Sequence, residues 1–226
     1  MKKTFPFLDR KFANASNHVD NHPWDEVLYE TDHFVVVPTV GALIEGWLLI
    51  VTKQPYLCMG AVSEELLREL FILKDHVSSV LRQCYGEVSI FEHGPSKARQ
   101  KVGCGVDHAH LHVLPVEYSL TEHVLAVTDT ELDWQLVKSI HAVSKFSDAG
   151  IPYLYVEQTI GKACIASAWN VPSQLFRRVV ADAIGLPKEF DWRNNPMESN
   201  VVSTVETLRG RFSNKAGSND IGLVTS

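Results

Sequence analysis

Three histidines in the stretch GVDHAHLHVLP, residues 105–115, have the residue type and the spacing that phosphate or metal chemistry needs. His108, His110 and His112 occupy every second position, and a small or apolar residue stands between them. Successive side chains of a β-strand point to opposite faces, so this spacing predicts three imidazoles on one face of a sheet. An imidazole can bind a metal, transfer a proton or attack an electrophile near neutral pH.

Three interpretations of this histidine strand fit the residues. A polar, solvated sheet face is the simplest, but three neighbouring imidazoles would repel one another once protonated. A metal site is the second, although the outer histidines of such a strand lie about 13 Å apart and cannot share one zinc ion. A further ligand would then have to come from Glu92, His93 or Cys104. The third interpretation, which we favour, makes the middle imidazole a nucleophile toward phosphorus, with its neighbours orienting it and neutralising charge.

Two loop features next to the histidines suit a phosphate. Gly103, Cys104 and Gly105 form a glycine-rich approach, in which backbone N–H groups can come close to phosphate oxygens. The run SKARQK, residues 96–101, precedes it and carries three cations. Such a run is most often a solvated loop, and the functional alternative is a mobile lid whose cations, including Arg99, meet a polyphosphate.

Composition narrows the class of protein. The chain has 226 residues, of which 45% are hydrophobic and 21% are charged, so one large domain or a core with an appended subdomain is expected. The formal net charge of -6 argues against a nucleic-acid partner. No apolar run approaches the roughly 18 residues that a membrane span needs. Four scattered cysteines without a CxxC pair are typical of reduced thiols, which predicts a cytoplasmic protein.

The first half of the chain predicts an antiparallel sheet with one long helix. Ser63 is a helix N-cap followed by two glutamates, apolar residues recur at helical spacing up to Cys84, and Gly86 ends the helix. Short β-branched and aromatic runs with hairpin-length connections predict the strands. These runs are EVLYE, HFVVVP, GWLLIVTK, EVSIFEHG and DHAHLHVLP.

The second half predicts helices and further strands. Apolar spacing predicts a helix over residues 131–146, with Leu132, Leu136, Val137, Ile140 and Val143 on one side. The runs PYLYVE and ACIASAW predict two strands. A helix with Pro172 in its first turn and Gly185 at its end follows, and a last helix is predicted over residues 198–209.

These elements predict an α+β fold: an antiparallel sheet of about five strands, a long helix packed on it, and a C-terminal α/β extension. The expected boundaries are an N-terminal arm over residues 1–25, a central domain over 26–118, an extension over 119–212 packed on that domain, and a flexible tail over 213–226.

The motif HAHLHVL matches the alternating signature of the histidine triad (HIT) superfamily, whose members hydrolyse or transfer nucleotidyl groups at an α-phosphate. GWLLIVTK resembles a family strand that leads into the sheet, and FEHG resembles the strand before the triad. The resemblance covers about residues 26–118. The combination looks most like a bacterial or phage-type branch of HIT-like proteins with long C-terminal extensions.

The resemblance implies a role for each histidine. His110 matches the nucleophile that forms a covalent nucleotidyl-imidazole intermediate. His112 matches the residue that contacts the phosphate, and His108 matches the histidine that hydrogen-bonds within the triad and holds the tautomer of the nucleophile. The implied reaction is cleavage of a phosphoanhydride or phosphoramidate in a nucleotide or nucleotide conjugate. The resemblance implies no obligatory metal or redox cofactor, and it implies a homodimer.

Several positions depart from the family pattern around the substrate. Gly105 stands where many members have serine, Thr39 where an aspartate often grips the ribose, Trp47 where a histidine is common, and Glu92 where small hydrolases place asparagine. Two alternatives therefore stay open: a non-catalytic nucleotide-binding module, or a metal-dependent hydrolase that uses triad histidines. The predicted substrate-binding residues are Glu92, His93, Gly103, Cys104, Gly105, Thr39, Trp47 and Arg99.

Overall fold

The protein, described by a computed structural model over residues 22–100, 102, 108–159 and 162–212, has the predicted α+β fold. Its sheet is antiparallel throughout the described pairs, with the strand order β1-β2-β3-β5-β4-β7-β8-β6. The strands are β1 (Tyr29–Glu30), β2 (Phe34–Pro38), β3 (Leu48–Thr52), β4 (Val88–Gly94), β5 (His110–Pro115), β6 (Gln135–Val137), β7 (Tyr153–Thr159) and β8 (Lys162–Ser167). The helices are α1 (Glu64–Tyr85), α2 (Val143–Asp148), α3 (Leu175–Ala183) and α4 (Glu198–Leu208).

The sheet has eight strands rather than about five, because strands from the C-terminal region join it. β7 pairs with β4, and β8 and β6 follow outward from β7. The sequence indicated the strands at 152–157 and 163–169 but not the sheet to which they belong. Pairing between β4 and β7 joins residues more than 50 positions apart, and local periodicity carries no information about such contacts.

The long helix α1 forms as predicted. The Ser63 hydroxyl accepts a hydrogen bond from the Leu66 N–H at 3.3 Å, and Glu64 and Glu65 lie in the first turn. Gly86 ends the helix with φ 92°, a conformation that favours glycine. The apolar stripe of α1 packs on one face of the sheet, in a core that includes Leu70, Val77, Ile50 and Leu111.

The helix predicted over residues 131–146 is wrong. The segment instead contains β6, a 3-10 turn over Ile140–Ala142 and the short helix α2. Its apolar residues do not share one face: Leu132 and Trp134 pack against the core on one side of the sheet, whereas Val137 and Ile140 pack on the other side. A helix on one surface cannot serve both sides, so the chain passes around the edge of the sheet as β6, where Leu136 is 83% exposed.

The last two helices were predicted at about the right place in the chain, but Pro172 lies before α3 rather than in its first turn. α3 begins three residues after Pro172, and Gly185, with φ 75°, lies just past its end. α4 lies within the predicted range 198–209. α3 covers the sheet face opposite to α1, in a second core that includes Trp47, Phe91 and Phe176. α4 contributes Val201 to this core and Leu208 to the core under α1.

The C-terminal helices also hold the β2–β3 loop, residues 39–47. The Gly41 N–H donates to the Pro196 carbonyl at 2.8 Å, and the Gly46 N–H donates to the Thr204 hydroxyl at 2.8 Å. Trp47 is the last residue of this loop, so the C-terminal region also fixes the start of β3.

Within the described residues, no helix is long and apolar enough to cross a membrane. The tail predicted over 213–226 and residues 1–21 of the predicted arm lie outside the described residues. The domain boundaries and the homodimer stay predictions.

Gly94 allows β4 and β7 to pair closely. A Cβ atom at this position would lie 2.1 Å from Cζ of Tyr153, the residue that pairs with it in β7. We expect Gly94→Ala to lower the free energy of unfolding by about 3 kcal/mol, because the buried Tyr153 ring has no space to move away. Urea unfolding measures this change. Ser167→Ala, at the exposed partner of Tyr153 in β8, is the control and should change stability by less than about 0.5 kcal/mol.

Candidate active site

His110 opens β5 and makes one decisive hydrogen bond. Its Nδ1 lies 2.7 Å from the main-chain carbonyl oxygen of His108. A carbonyl can only accept, so Nδ1 carries the proton and Nε2 of the neutral ring carries the lone pair. Burial, with a smaller contribution from His108, lowers the pKa of His110 to about 4, while the carbonyl hydrogen bond acts against this shift. At neutral pH the ring is therefore unprotonated at Nε2, which carries the lone pair.

His112 lies on the same face of β5, with its ring centroid 5.0 Å from that of His110. The indole Nε1–H of Trp47 donates to Nδ1 of His112 at 3.1 Å, and the ring stacks on Phe91 with centroids 4.3 Å apart. Burial first, then His110, His93 and Arg177, hold the pKa of His112 well below its ordinary value. Its Nε2 is buried and has no hydrogen-bond partner among the described residues. His112 therefore presents an N–H donor beside His110.

His108 precedes β5, which begins at His110 rather than at residue 107 as the sequence predicted. Its ring is 2% exposed, and Nε2–H donates to the Thr52 carbonyl at 2.6 Å. The group that holds the tautomer of His110 is thus the main chain of His108, whereas its imidazole anchors the turn into β5 against the end of β3.

His93 is a buried neighbour of the triad on β4. Its ring centroid lies 6.4 Å from that of His112, and its Nε2 accepts the Phe176 N–H in the first turn of α3 at 3.4 Å. Burial, followed by the charges of His110 and Arg177, lowers its pKa to about 3. His93 therefore connects the triad face to the C-terminal region.

Glu92 does not lie with the triad, which corrects its predicted role in substrate binding. It follows Phe91 in β4, so its side chain points to the α1 face of the sheet. There it is 1% exposed and accepts the Met59 N–H at 2.6 Å and the Tyr153 hydroxyl at 2.7 Å. Burial raises its pKa to about 7, opposed by those two hydrogen bonds. The carboxyl group belongs to the packing around Met59, on the sheet face opposite to His112.

Thr39 and Trp47 are both buried near the β2–β3 loop. The Thr39 hydroxyl donates to the Val40 carbonyl at 3.3 Å and is 3% exposed as a residue. Trp47 is fully buried, and its only polar atom is used by His112. The structure thus places Trp47 behind the triad.

Arg99 is exposed, in a turn where its φ is 61°. Gly103, Cys104 and Gly105 lie outside the described residues, so their predicted contacts with a phosphate stay predictions. Arg193 pairs with Asp191 at 3.4 Å and lies on the Trp192 ring.

Two side chains that the sequence analysis did not select lie at the site. Phe91 stacks on His112, and strand alternation with His93 could have placed it on the triad face. Arg177, on α3, is 2% exposed and lies over the Trp47 ring with Cζ 5.0 Å from its centroid. The run LFRRVV carries no local signal that one of its arginines is buried against a strand from the other half of the chain.

The tautomers limit what the triad can hold. Nδ1 of His110 and Nε2 of His108 donate to carbonyls, and Nδ1 of His112 accepts from Trp47. Nε2 of His110 therefore carries a lone pair and lies on the ring next to His112, whose Nε2–H is a donor. This arrangement suits attack on a phosphorus atom with an oxygen that accepts a hydrogen bond. In the described part of the chain, no group of three or more His, Cys, Asp or Glu side chains is arranged to hold a metal ion.

Comparison with known proteins finds a family model that matches the part of the chain with the triad. Residues 22–118 match the family model of the HIT domain. The match supports a role in nucleotide binding or nucleotide hydrolysis, and it includes β1 to β5 with the whole triad. The predicted branch is not tested by this match.

The solved structures that resemble the chain cover about half of it. One is a hypothetical histidine triad nucleotide-binding protein from Sulfolobus tokodaii, with TM-score 0.38 and 16% identity over 50% of this chain and 69% of that chain. Another is a HIT-like protein involved in cell-cycle regulation from Bartonella henselae, with TM-score 0.35 and 14% identity over 55% of this chain and 85% of that chain. No curated protein matches the chain significantly.

The buried histidines should make the protein less stable in acid. The pKa of His93 is about 3 in the folded protein, against about 6.5 in an unfolded chain, so the unfolded chain binds the proton first. This contribution to stability is complete above pH 6.5 and is lost as the pH falls towards 3, at roughly 1.4 kcal/mol per pH unit. In His93→Gln, whose amide can still accept the Phe176 N–H, we expect a smaller loss of unfolding free energy between pH 6.5 and 4.5.

Urea unfolding at a series of pH values measures this difference. Glu92 changes the free energy of unfolding in the opposite direction as the pH falls below about 7, because its pKa is raised in the folded protein. Both proteins contain Glu92, so its contribution cancels in the comparison. His123→Gln, at an exposed histidine, is the control. Parallel curves for wild type and His93→Gln would show that His93 does not titrate abnormally.

Proposed function

We propose that the protein is a HIT-type nucleotidyl hydrolase or transferase that cleaves a phosphoanhydride or phosphoramidate at the α-phosphate of a nucleotide-like substrate. The observation that carries this proposal is the hydrogen bond from Nδ1 of His110 to the His108 carbonyl, which leaves Nε2 as a neutral nucleophile. The match of residues 22–118 to the HIT domain supports the same chemistry.

The reaction has two steps at one atom. Nε2 of His110 attacks the α-phosphorus, a P–N bond forms, and the bond from phosphorus to the leaving oxygen or nitrogen breaks with protonation of the leaving group. Attack by water, or by an acceptor hydroxyl or phosphate, then breaks the P–N bond and restores the imidazole. The Nε2–H of His112 donates to a phosphorus-bound oxygen, where negative charge increases during each attack.

The proposed contacts to the substrate come from residues around the triad. Of the predicted substrate-binding residues, His93 and Trp47 contact the triad or its neighbours, and Thr39 lies at the start of the loop that leads to Trp47. We propose that the glycine-rich segment 103–105 supplies main-chain donors to the phosphate. The proposed enzyme requires no metal, because the nucleophile is a neutral imidazole and the charge is met by N–H donors. We also propose that it acts in the cytoplasm.

Replacement of the nucleophile tests the proposal directly. The protein is incubated with a panel of nucleoside 5′-phosphoramidates and dinucleoside polyphosphates, and the intact mass is measured after a quench without acid, because a phosphoimidazole is acid-labile. We expect wild type to gain one nucleotidyl group, and we expect His110→Ala to form no adduct and to lose at least roughly 10³-fold in turnover.

The matched control is His123→Ala, an exposed histidine that should form the adduct normally. Binding of a nucleotide without an adduct in wild type would favour a non-catalytic binding module. Activity that disappears with a chelator and returns with zinc would favour a metal-dependent hydrolase.

The pH dependence of adduct formation gives a second test. Because the pKa of His110 is about 4, its ring stays neutral down to mildly acidic pH. The single-turnover rate of adduct formation should therefore change less than about twofold between pH 7.5 and 5.5. A nucleophile with the ordinary histidine pKa of about 6.5 would lose about tenfold at pH 5.5, and that result would contradict the burial of a neutral His110.

A further inference from the structure

The hydrogen bond between Trp47 and His112 determines the tautomer of the His112 ring. An indole N–H can only donate, so Nδ1 of His112 must accept and its proton must lie on Nε2. Phe91 stacks on the ring with an interplanar angle of 17°, which limits rotation of the imidazole. While both contacts persist, His112 is a donor toward the phosphate side and cannot compete with His110 as a nucleophile.

Arg177 determines the position of Trp47. The guanidinium lies over the indole, and Nε donates to the Phe190 carbonyl at 2.8 Å while Nη2 donates to the Gly41 carbonyl. These three contacts fix the planar group on an indole that is itself fully buried. A chain of contacts thus runs from α3 through Trp47 to His112.

Gly41 shows how closely this arrangement is packed. It has φ 70°, and a Cβ atom there would lie 2.8 Å from Nη2 of Arg177 and 2.7 Å from Cβ of Trp192. The backbone of the β2–β3 loop therefore approaches the guanidinium more closely than any other residue type would allow. The arginine has little freedom to move away from Trp47.

The charge of Arg177 acts in the same direction as its contacts. Burial is the main reason that the pKa of His112 is low, and Arg177 together with His110 and His93 lowers it further. A fixed cation behind Trp47 therefore opposes protonation of Nδ1, the atom that must accept the indole N–H. From behind Trp47 the same cation also adds positive potential at the triad.

We propose that Arg177, which the C-terminal region supplies, is a positioning residue of the triad: through Trp47 it holds His112 in one orientation and one tautomer, with Nε2–H as a permanent donor. The catalytic consequence rests on the proposed nucleotidyl chemistry, whereas the effect on His112 does not. The C-terminal region is then part of the active site.

Nuclear magnetic resonance of ¹⁵N-histidine-labelled full-length protein tests the effect on His112 without any substrate. Long-range ¹H–¹⁵N spectra distinguish a protonated from an unprotonated ring nitrogen, and His112→Gln assigns the signals. In wild type we expect Nδ1 unprotonated and Nε2 protonated. Trp47→Phe removes the donor but keeps an aromatic ring, and Arg177→Met removes the charge and keeps the bulk, so both should populate the second tautomer.

Kinetics test the consequence for the reaction. With a substrate that forms the His110 adduct, we expect Trp47→Phe and Arg177→Met to lower kcat by roughly 10-fold or more, with KM changed less than about threefold. Arg178→Met is the matched control, since Arg178 lies on the same helix over Phe190 and hydrogen-bonds to Ser173. It should leave both the His112 spectrum and kcat unchanged. If Arg177→Met does not fold, Arg177→Lys, which keeps the charge but not the planar contacts, should shift the tautomer in the same direction.

The outcomes separate the two proposals. An unchanged His112 spectrum in the folded variants overturns the positioning role. A shifted tautomer with unchanged kcat supports the effect on His112 and overturns its consequence for the reaction. A shifted tautomer in the variants of a protein that forms no adduct supports the positioning of His112 and overturns the nucleotidyl chemistry.

Discussion

The hydrogen bond from Nδ1 of His110 to the His108 carbonyl is the interaction on which the site depends. A neutral imidazole has one proton for two nitrogens, and this bond places the proton on Nδ1 and leaves the lone pair on Nε2. The His108 carbonyl lies in the turn into β5, and two hydrogen bonds hold this turn. The His108 ring donates to the Thr52 carbonyl, and the Ala109 N–H donates to the Tyr56 carbonyl at 2.7 Å. A main-chain turn thus determines the chemistry of a side chain two residues later.

Burial supports this arrangement by keeping the imidazoles neutral. His93, His110 and His112 lie together on one sheet face, where His110 lowers the pKa of His93 and of His112, and α3 packs on that face. On β4, the side chain of Glu92 points to the opposite face of the sheet, where burial beside Tyr153 raises its pKa. Alternation along β4 keeps the acid and the imidazoles on separate sides of the sheet, where they do not neutralise each other.

Much of the fold followed from local patterns, and the failures have a common cause. The capped helix α1, the strands of the first half and the last helix were predictable because their residues repeat at the period of one element. The helix over 131–146 was wrong because Leu132 and Val137 pack on different sides of the sheet, and a periodic pattern does not reveal two separate surfaces. The number of strands was too low because β7 finds its partner in β4, far away in the sequence.

The sequence by itself determined that His110 and His112 share a face, because strand periodicity is a property of the backbone. It also favoured phosphate chemistry over the alternatives, because HAHLHVL resembles the signature of the histidine triad superfamily. The tertiary structure decided which nitrogen carries each proton, that Glu92 points away from the triad, and that Arg177 lies behind Trp47. Those properties depend on hydrogen bonds and packing between segments as much as 130 residues apart, such as Arg177 and Trp47, and the contacts exist only once the chain is folded.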